Sequence, residues 1–176
     1  MVSEGLGSCF VRTLYLLLDT KFENIDNEKV AIFISSFGQL LSRLLRSSIT
    51  TEDLVAKDDL KLLFVTAATA ESQAWRRVSA DSLMAIARHT MSLNVAQYIQ
   101  SRECIHQWVN RLKSNTVPPL EAVERLVCLF CFLQDSSSCT QQLLDAFKYA
   151  EGYVFLAELL LSLESDLVGQ SEGDAR

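Results

Sequence analysis

The chain has 176 residues, 49% of them hydrophobic and 22% charged, with a formal net charge of −6 at pH 7. That length supports one sizeable core, and only 6 glycines and 2 prolines leave too few turns for an all-β protein, so the expected fold is all-α. The negative charge and scattered basic residues argue against a nucleic-acid surface, which needs clustered Lys and Arg.

In chain order, residues 1–7 are expected to be a disordered N-terminus. From Ser8, the run CFVRTLYLLLD reads as a short helix with Phe10, Leu14, Leu17 and Leu18 on one face. The polar stretch from Thr20 ends at Asp26 or Asn27, either of which can cap a helix over about 28–46, because a short side-chain oxygen satisfies the free N–H groups of a first turn. After a break at 47–51, Glu52, Asp53 and Leu54 open a short helix, and Asp58 with Asp59 starts DDLKLLFVTAA as acidic first-turn residues. WRRVSADSLMAIARHT follows, with Val78, Leu83, Ile86 and Ala87 inward, and then the pair LNVAQYIQ and ECIHQWVNRL.

Pro118 and Pro119 make the clearest stop in the chain. Beyond them Leu120, Val123, Leu126, Val127, Phe130 and Leu133 recur at helical steps and end in the unbroken apolar run LVCLFCFL, 126–133. A helix apolar nearly all round needs neighbours on more than one side. TQQLLDAFKYA and GYVFLAELLLSLE complete the chain, and 165–176 reads as a frayed or truncated tail.

Three segments share one plan. TEDLVAKDDLKLLFVTA, NVAQYIQSRECIHQWVNRL and QQLLDAFKYAEGYVFLAELLLSL are each a short helix, a polar joint and a longer helix, and each follows a separate helix. The joints fall near Asp58, Glu103 and Glu151, 45 and 48 residues apart. A three-helix unit at that interval matches armadillo or HEAT spacing, so the expected architecture is an α-solenoid of about three three-helix repeats over residues 8–164.

Few residues suggest chemistry. Cys128 and Cys131 form a C-x-x-C, but they lie mid-helix among Leu and Phe, and no second Cys or His pair stands at zinc spacing, so both read as core. Cys104 and His106, two apart, diverge on a helix. Five cysteines, two of them in the most apolar run, suit a reducing compartment. His89 and His106 belong to no nucleophile motif, there is no Gly-rich phosphate loop, and Glu121 with Glu124 reads as helix-start acid. No catalytic residue, cofactor or metal is expected. Arg43 with Arg46 and Arg76 with Arg77 read as solvated helix edges. Trp108 reads as core; Trp75, beside Arg76 and Arg77 after a loop, reads as ordinary packing or, alternatively, as a partner surface of Trp75, Arg76 and Arg77. The apolar run Leu14–Leu18 is too short for a membrane span and lacks a cleavage site, so a cytosolic chain is expected.

The stretches AKDDLKLLF (56–64), LMAIARH (83–89), SLNVAQYIQSREC (92–104), PLEAVE (119–124), CFLQDSS (131–137) and LLDAFKYAEGYVFLAELLLSLE (143–164) resemble the N-terminal armadillo-like region of the WD-repeat and FYVE-domain-containing BEACH proteins, in the Alfy and blue cheese branch. The resemblance covers about Val11 to Glu164 and is weakest in 20–50 and 65–74. It implies a piece of a much longer scaffold that links ubiquitinated aggregates to selective macroautophagy and endolysosomal membranes. The implied partners are other proteins, met through helical faces, and adjoining repeats of the same chain; neither nucleic acid nor membrane insertion is implied. Phosphoinositide binding belongs to downstream modules outside this sequence, and no residue here matches them. The implied location is cytoplasmic, with peripheral association to autophagic or endolysosomal membranes. The alternative is a short free-standing adaptor of the same fold, which needs a polar cap at each end, whereas helix 8–19 is apolar enough to want a neighbour.

Overall fold

A computed structural model describes residues 5–18, 26–114 and 117–173, with side chains described as far as Glu164. The fold is all-α. Helices α1 (Leu6–Leu17), α2 (Asn27–Leu44), α3 (Ser48–Ala56), α4 (Leu60–Thr69) and α5 (Gln73–His89) are followed by α6 (Leu93–Ser101), α7 (Cys104–Lys113), α8 (Pro119–Asp135), α9 (Thr140–Tyr149) and α10 (Gly152–Gly173), with one short 3-10 turn at Ser137–Cys139.

Each helix packs beside the one three places later. The long helices α2, α5 and α8 lie side by side in one row, α1, α4, α7 and the start of α10 make a second, and the short helices α3, α6 and α9 make a third. The first two rows meet chiefly where α4 packs on α5. The interior between the rows holds Leu41, Leu45, Leu54, Leu60, Leu63 and Leu129, all without accessible surface. At roughly 1.5–3 kcal/mol for each fully buried aliphatic side chain, this repeated interior is the dominant stabilising contribution.

Aromatic clusters mark the successive units. Phe37 of α2 touches Phe10 of α1 and Trp75 of α5, with ring centroids 5.1 and 6.0 Å apart. Phe64 of α4 meets Trp108 of α7 and Phe132 of α8 edge-on, at 6.1 and 5.3 Å. Phe147 of α9 sits between Phe130 of α8 and Tyr153 of α10, 5.1 Å from each. The side of the Phe147 ring lies where Gly152 would carry a Cβ, so a larger residue there would collide with it.

The three joints expected from sequence are where the backbone turns over. Asp58, Glu103 and Glu151 take φ values of 60°, 53° and 57°, the left-handed conformation that ends a helix and restarts it in a new direction. In each the residue's N–H returns to the carbonyl three residues back: Asp58 to Val55 at 3.2 Å, Glu103 to Gln100 at 2.9 Å, Glu151 to Lys148 at 2.9 Å. At the first joint the N–H of Asp59 also reaches the Leu54 carbonyl at 2.9 Å, which completes a Schellman closure. The Asp26 carboxylate accepts from Glu28 N–H at 3.1 Å, the cap expected for α2.

Several expectations are corrected. Asp58 and Asp59 precede α4 instead of filling its first turn, and their carboxylates are engaged across the fold: Asp59 accepts from Arg12 Nε at 2.9 Å. α3 starts at Ser48, and Thr51 faces inward, bonded to the hydroxyl of Thr90 at 2.9 Å. α1 starts at Leu6, inside the stretch expected to be disordered, whose first four residues lie outside those described. α10 continues to Gly173, past the expected boundary at Glu164. The polar stretch 19–25 lies outside the described residues.

The apolar run of α8 is not covered all round. Leu126, Leu129, Phe132 and Leu133 are buried, but Val127 is 54% exposed, Cys131 is exposed and Cys128 is half-buried. Leu120, read as the first residue of the inward stripe, is 80% exposed. In its row α8 has α5 on one side only, because the long helix that follows, α10, packs chiefly on α9 and α7.

Candidate binding surface

Trp75, Arg76 and Arg77 do not form a common surface. Trp75 is 3% exposed and stands edge-on to Phe33 and Phe37 of α2. Arg76 is 9% exposed and turns beneath the end of α4, where its Nη1 donates to the carbonyls of Ala70 at 2.8 Å and Glu71 at 2.7 Å. Only Arg77 points to solvent. Burial is favourable for Arg76 because the free carbonyls at a helix C-terminus attract a cation and Glu121 supplies the countercharge, 2.9 Å away.

Arg125 of α8 repeats the arrangement: it donates to the carbonyl of Ala68 and to Glu121. Glu124 completes the group, accepting from Gln73 Nε2 at 3.0 Å and facing Arg76 at 3.7 Å. These four charges tie α4, α5 and α8 together, so the acidic pair at the start of α8 and the arginines at 76 and 125 are packing residues. The Nε atoms of both arginines lack partners among the described residues.

The first joint carries a second polar cluster. Asp58 accepts from Tyr98 Oη at 2.8 Å and Arg102 Nε at 2.8 Å, and pairs with Lys61. Those bonds, Lys61's first and Tyr98's next, hold the Asp58 carboxyl below its ordinary pKa, while burial and then the bond to Asp58 push the Tyr98 phenol up. Cys104 nearby is buried, and its thiol is pushed up to about 12 by that burial, which keeps it un-ionised and unreactive. Cys139 is also buried, whereas Cys9 and Cys131 are exposed. Among the described residues no group of three His, Cys, Asp or Glu is placed to hold a metal ion, and no helix is long and apolar enough to cross a membrane.

The open surface lies on the row of long helices. Between α2 and α5 runs a hollow of about 650 Å3 over Ile34, Gly38 and Val78, lined by Arg43, Arg46, Arg77 and Asp81. It shares Ser42, Arg46 and Asp81 with a second hollow of about 420 Å3 between α5 and α8, lined by Met84, Arg88, His89, Val127 and Cys131. The two make one trough across three helices. Gly38 allows the close approach that forms its floor: a Cβ there would sit 2.8 Å from a methyl of Val78.

Charge in the trough is unbalanced. Arg88 pairs with Asp135 at 2.6 Å and Arg77 reaches Glu124 only at 4.0 Å. Arg43 and Arg46 make no ion pair among the described residues. Asp81 is the one carboxylate on the lining, and loss of surrounding water raises its pKa against the pull of Arg77. Arg43 and Arg46 read in the sequence as a solvated helix edge and gave no sign of the trough, because α5 and α8, which line it with α2, lie far along the chain.

No protein-family model matches the chain, and no solved structure matches it.

Proposed function

We propose that this chain is a non-catalytic, armadillo- or HEAT-like segment of a large BEACH-family scaffold, presenting helical faces to protein partners and to adjoining repeats of the same long chain. The observation that carries the reading is the recurrence of one helix arrangement at left-handed acidic joints 45 and 48 residues apart. An array built this way buries each unit against the units before and after it. Both ends of the rows fit that need. Leu16, Ile32 and Leu40 are exposed at the α1–α2 end, and Val154, Leu160 and Leu161 along α10. The resemblance of the packing residues to the Alfy and blue cheese branch supplies the rest of the reading: a cytoplasmic protein of selective macroautophagy with peripheral association to autophagic or endolysosomal membranes.

The test is the size of the endogenous protein, detected with an antibody raised to LLDAFKYAEGYVFLAELL. A band far above 19.7 kDa is expected. A band near 19.7 kDa would overturn the scaffold reading in favour of a short free-standing adaptor.

A further inference from the structure

We infer that the cationic trough across α2, α5 and α8 receives an extended acidic segment of a protein partner. The inference stands on the trough alone and does not depend on the scaffold reading. Arg43 and Arg46 are three apart on α2, so they are neighbours on one helix face, and neither makes an ion pair among the described residues. Arg77 from α5 lines the same hollow, weakly engaged by a carboxylate 4.0 Å away. Guanidinium groups are weakly hydrated and bind carboxylates through paired N–H donors, so cations left free over a hollow favour an anionic ligand.

The floor decides which anion. Val78, Met84 and Val127 offer apolar surface between the charges, and Val127 is 54% exposed. Nucleic acid binds through many phosphates at once and needs an extended Lys and Arg surface, whereas this trough offers Arg43, Arg46 and the weakly engaged Arg77 beside one carboxylate. An extended peptide sends alternate side chains to opposite sides, so acidic residues can reach the arginines while small apolar ones lie on the floor. Two helix spacings of 8–10 Å make the trough roughly 16–20 Å long, which takes about six residues at about 3.3 Å each. Asp81, midway along the trough, opposes such a ligand and so sets a limit on its affinity.

The experiment is fluorescence anisotropy of the full 176-residue chain with a dye-labelled octapeptide alternating glutamate and valine, against the same peptide with lysine for glutamate. The glutamate peptide is expected to bind and the lysine peptide not to. Arg43→Glu with Arg46→Glu is expected to weaken binding by about tenfold or more, and Asp81→Asn to tighten it, while Lys148→Glu on α9, away from the trough, changes it by less than about twofold. Circular dichroism confirms that each variant is folded. Absence of binding to the wild-type chain, unchanged affinity in the folded double variant, or displacement of the peptide by single-stranded DNA at equal charge concentration would each overturn the proposal, the last in favour of a general polyanion surface.

Discussion

The joints at Asp58 and Glu103 share one backbone conformation and differ in what surrounds the side chain. Asp58 is held by Lys61, by Tyr98 of α6 and by Arg102 at that helix's C-cap. Glu103 has no side-chain partner among the described residues, and counting back from the following joint puts Ala146 where Tyr98 stands in the unit before. With no phenol to cover it, that place is an open cleft of about 230 Å3 beside Glu103, His106 and Tyr149. The turn is therefore a property of the backbone and its hydrogen bond to the carbonyl three residues back, and the side-chain lock is a separate layer present at one joint and missing at the other. Glu151 falls between them, bonded to Lys113 at 2.9 Å.

The largest expected effect tests whether both joints rest on a common interior. Trp108, 1% exposed and packed on Phe64, lies on the helix that leaves the second joint and touches the helix that leaves the first. Trp108→Ala should destabilise the protein by about 3–5 kcal/mol in denaturant unfolding. A loss under about 1 kcal/mol would mean that the two units do not share that core.

A smaller change removes one strand of the lock. Tyr98→Phe keeps the ring and deletes the hydrogen bond to Asp58, for an expected loss of about 1 kcal/mol. An undiminished melting temperature would show that Lys61 and Arg102 suffice.

Acid sharpens the comparison without altering packing. The folded-state pKa of Asp58 is lowered, so its contribution is fully present above the unfolded value of about 3.9 and is lost as pH falls through the folded value below it. The stability difference between wild type and Asp58→Asn should therefore narrow as pH drops below about 4. A gap that does not change as pH falls below about 4 would mean that the charge on Asp58 contributes nothing.

How far these features could be read in advance follows from their range along the chain. The joints were legible because a polar residue interrupting an apolar pattern is local, and so were the helices, the inward face of α5 and the burial of Trp108. The buried arginines were not. Arg76 beside Arg77 looks like a solvated edge, and its burial depends on carbonyls at the end of α4 and on Glu121, 45 residues away. The run 126–133 called for neighbours on more than one side, and α5, α7 and α9 supply them, but its apolar character gave no sign that Val127 and Cys131 would stay open. The trough was illegible for the same reason, since its walls come from three separate units.

The most direct test of the two-layer account is to place glycine at each joint and measure unfolding free energies side by side. A left-handed L-residue costs about 1–2 kcal/mol, against roughly 0.5–1 kcal/mol for the added freedom of glycine in the unfolded chain. At Glu103, with no lock to lose, Glu103→Gly should stabilise by about 0.5–1 kcal/mol. At Asp58 the same relief is outweighed by the loss of three partners, so Asp58→Gly should destabilise. Opposite signs support a turn set by the backbone with a lock added at one joint; equal signs at both would contradict it.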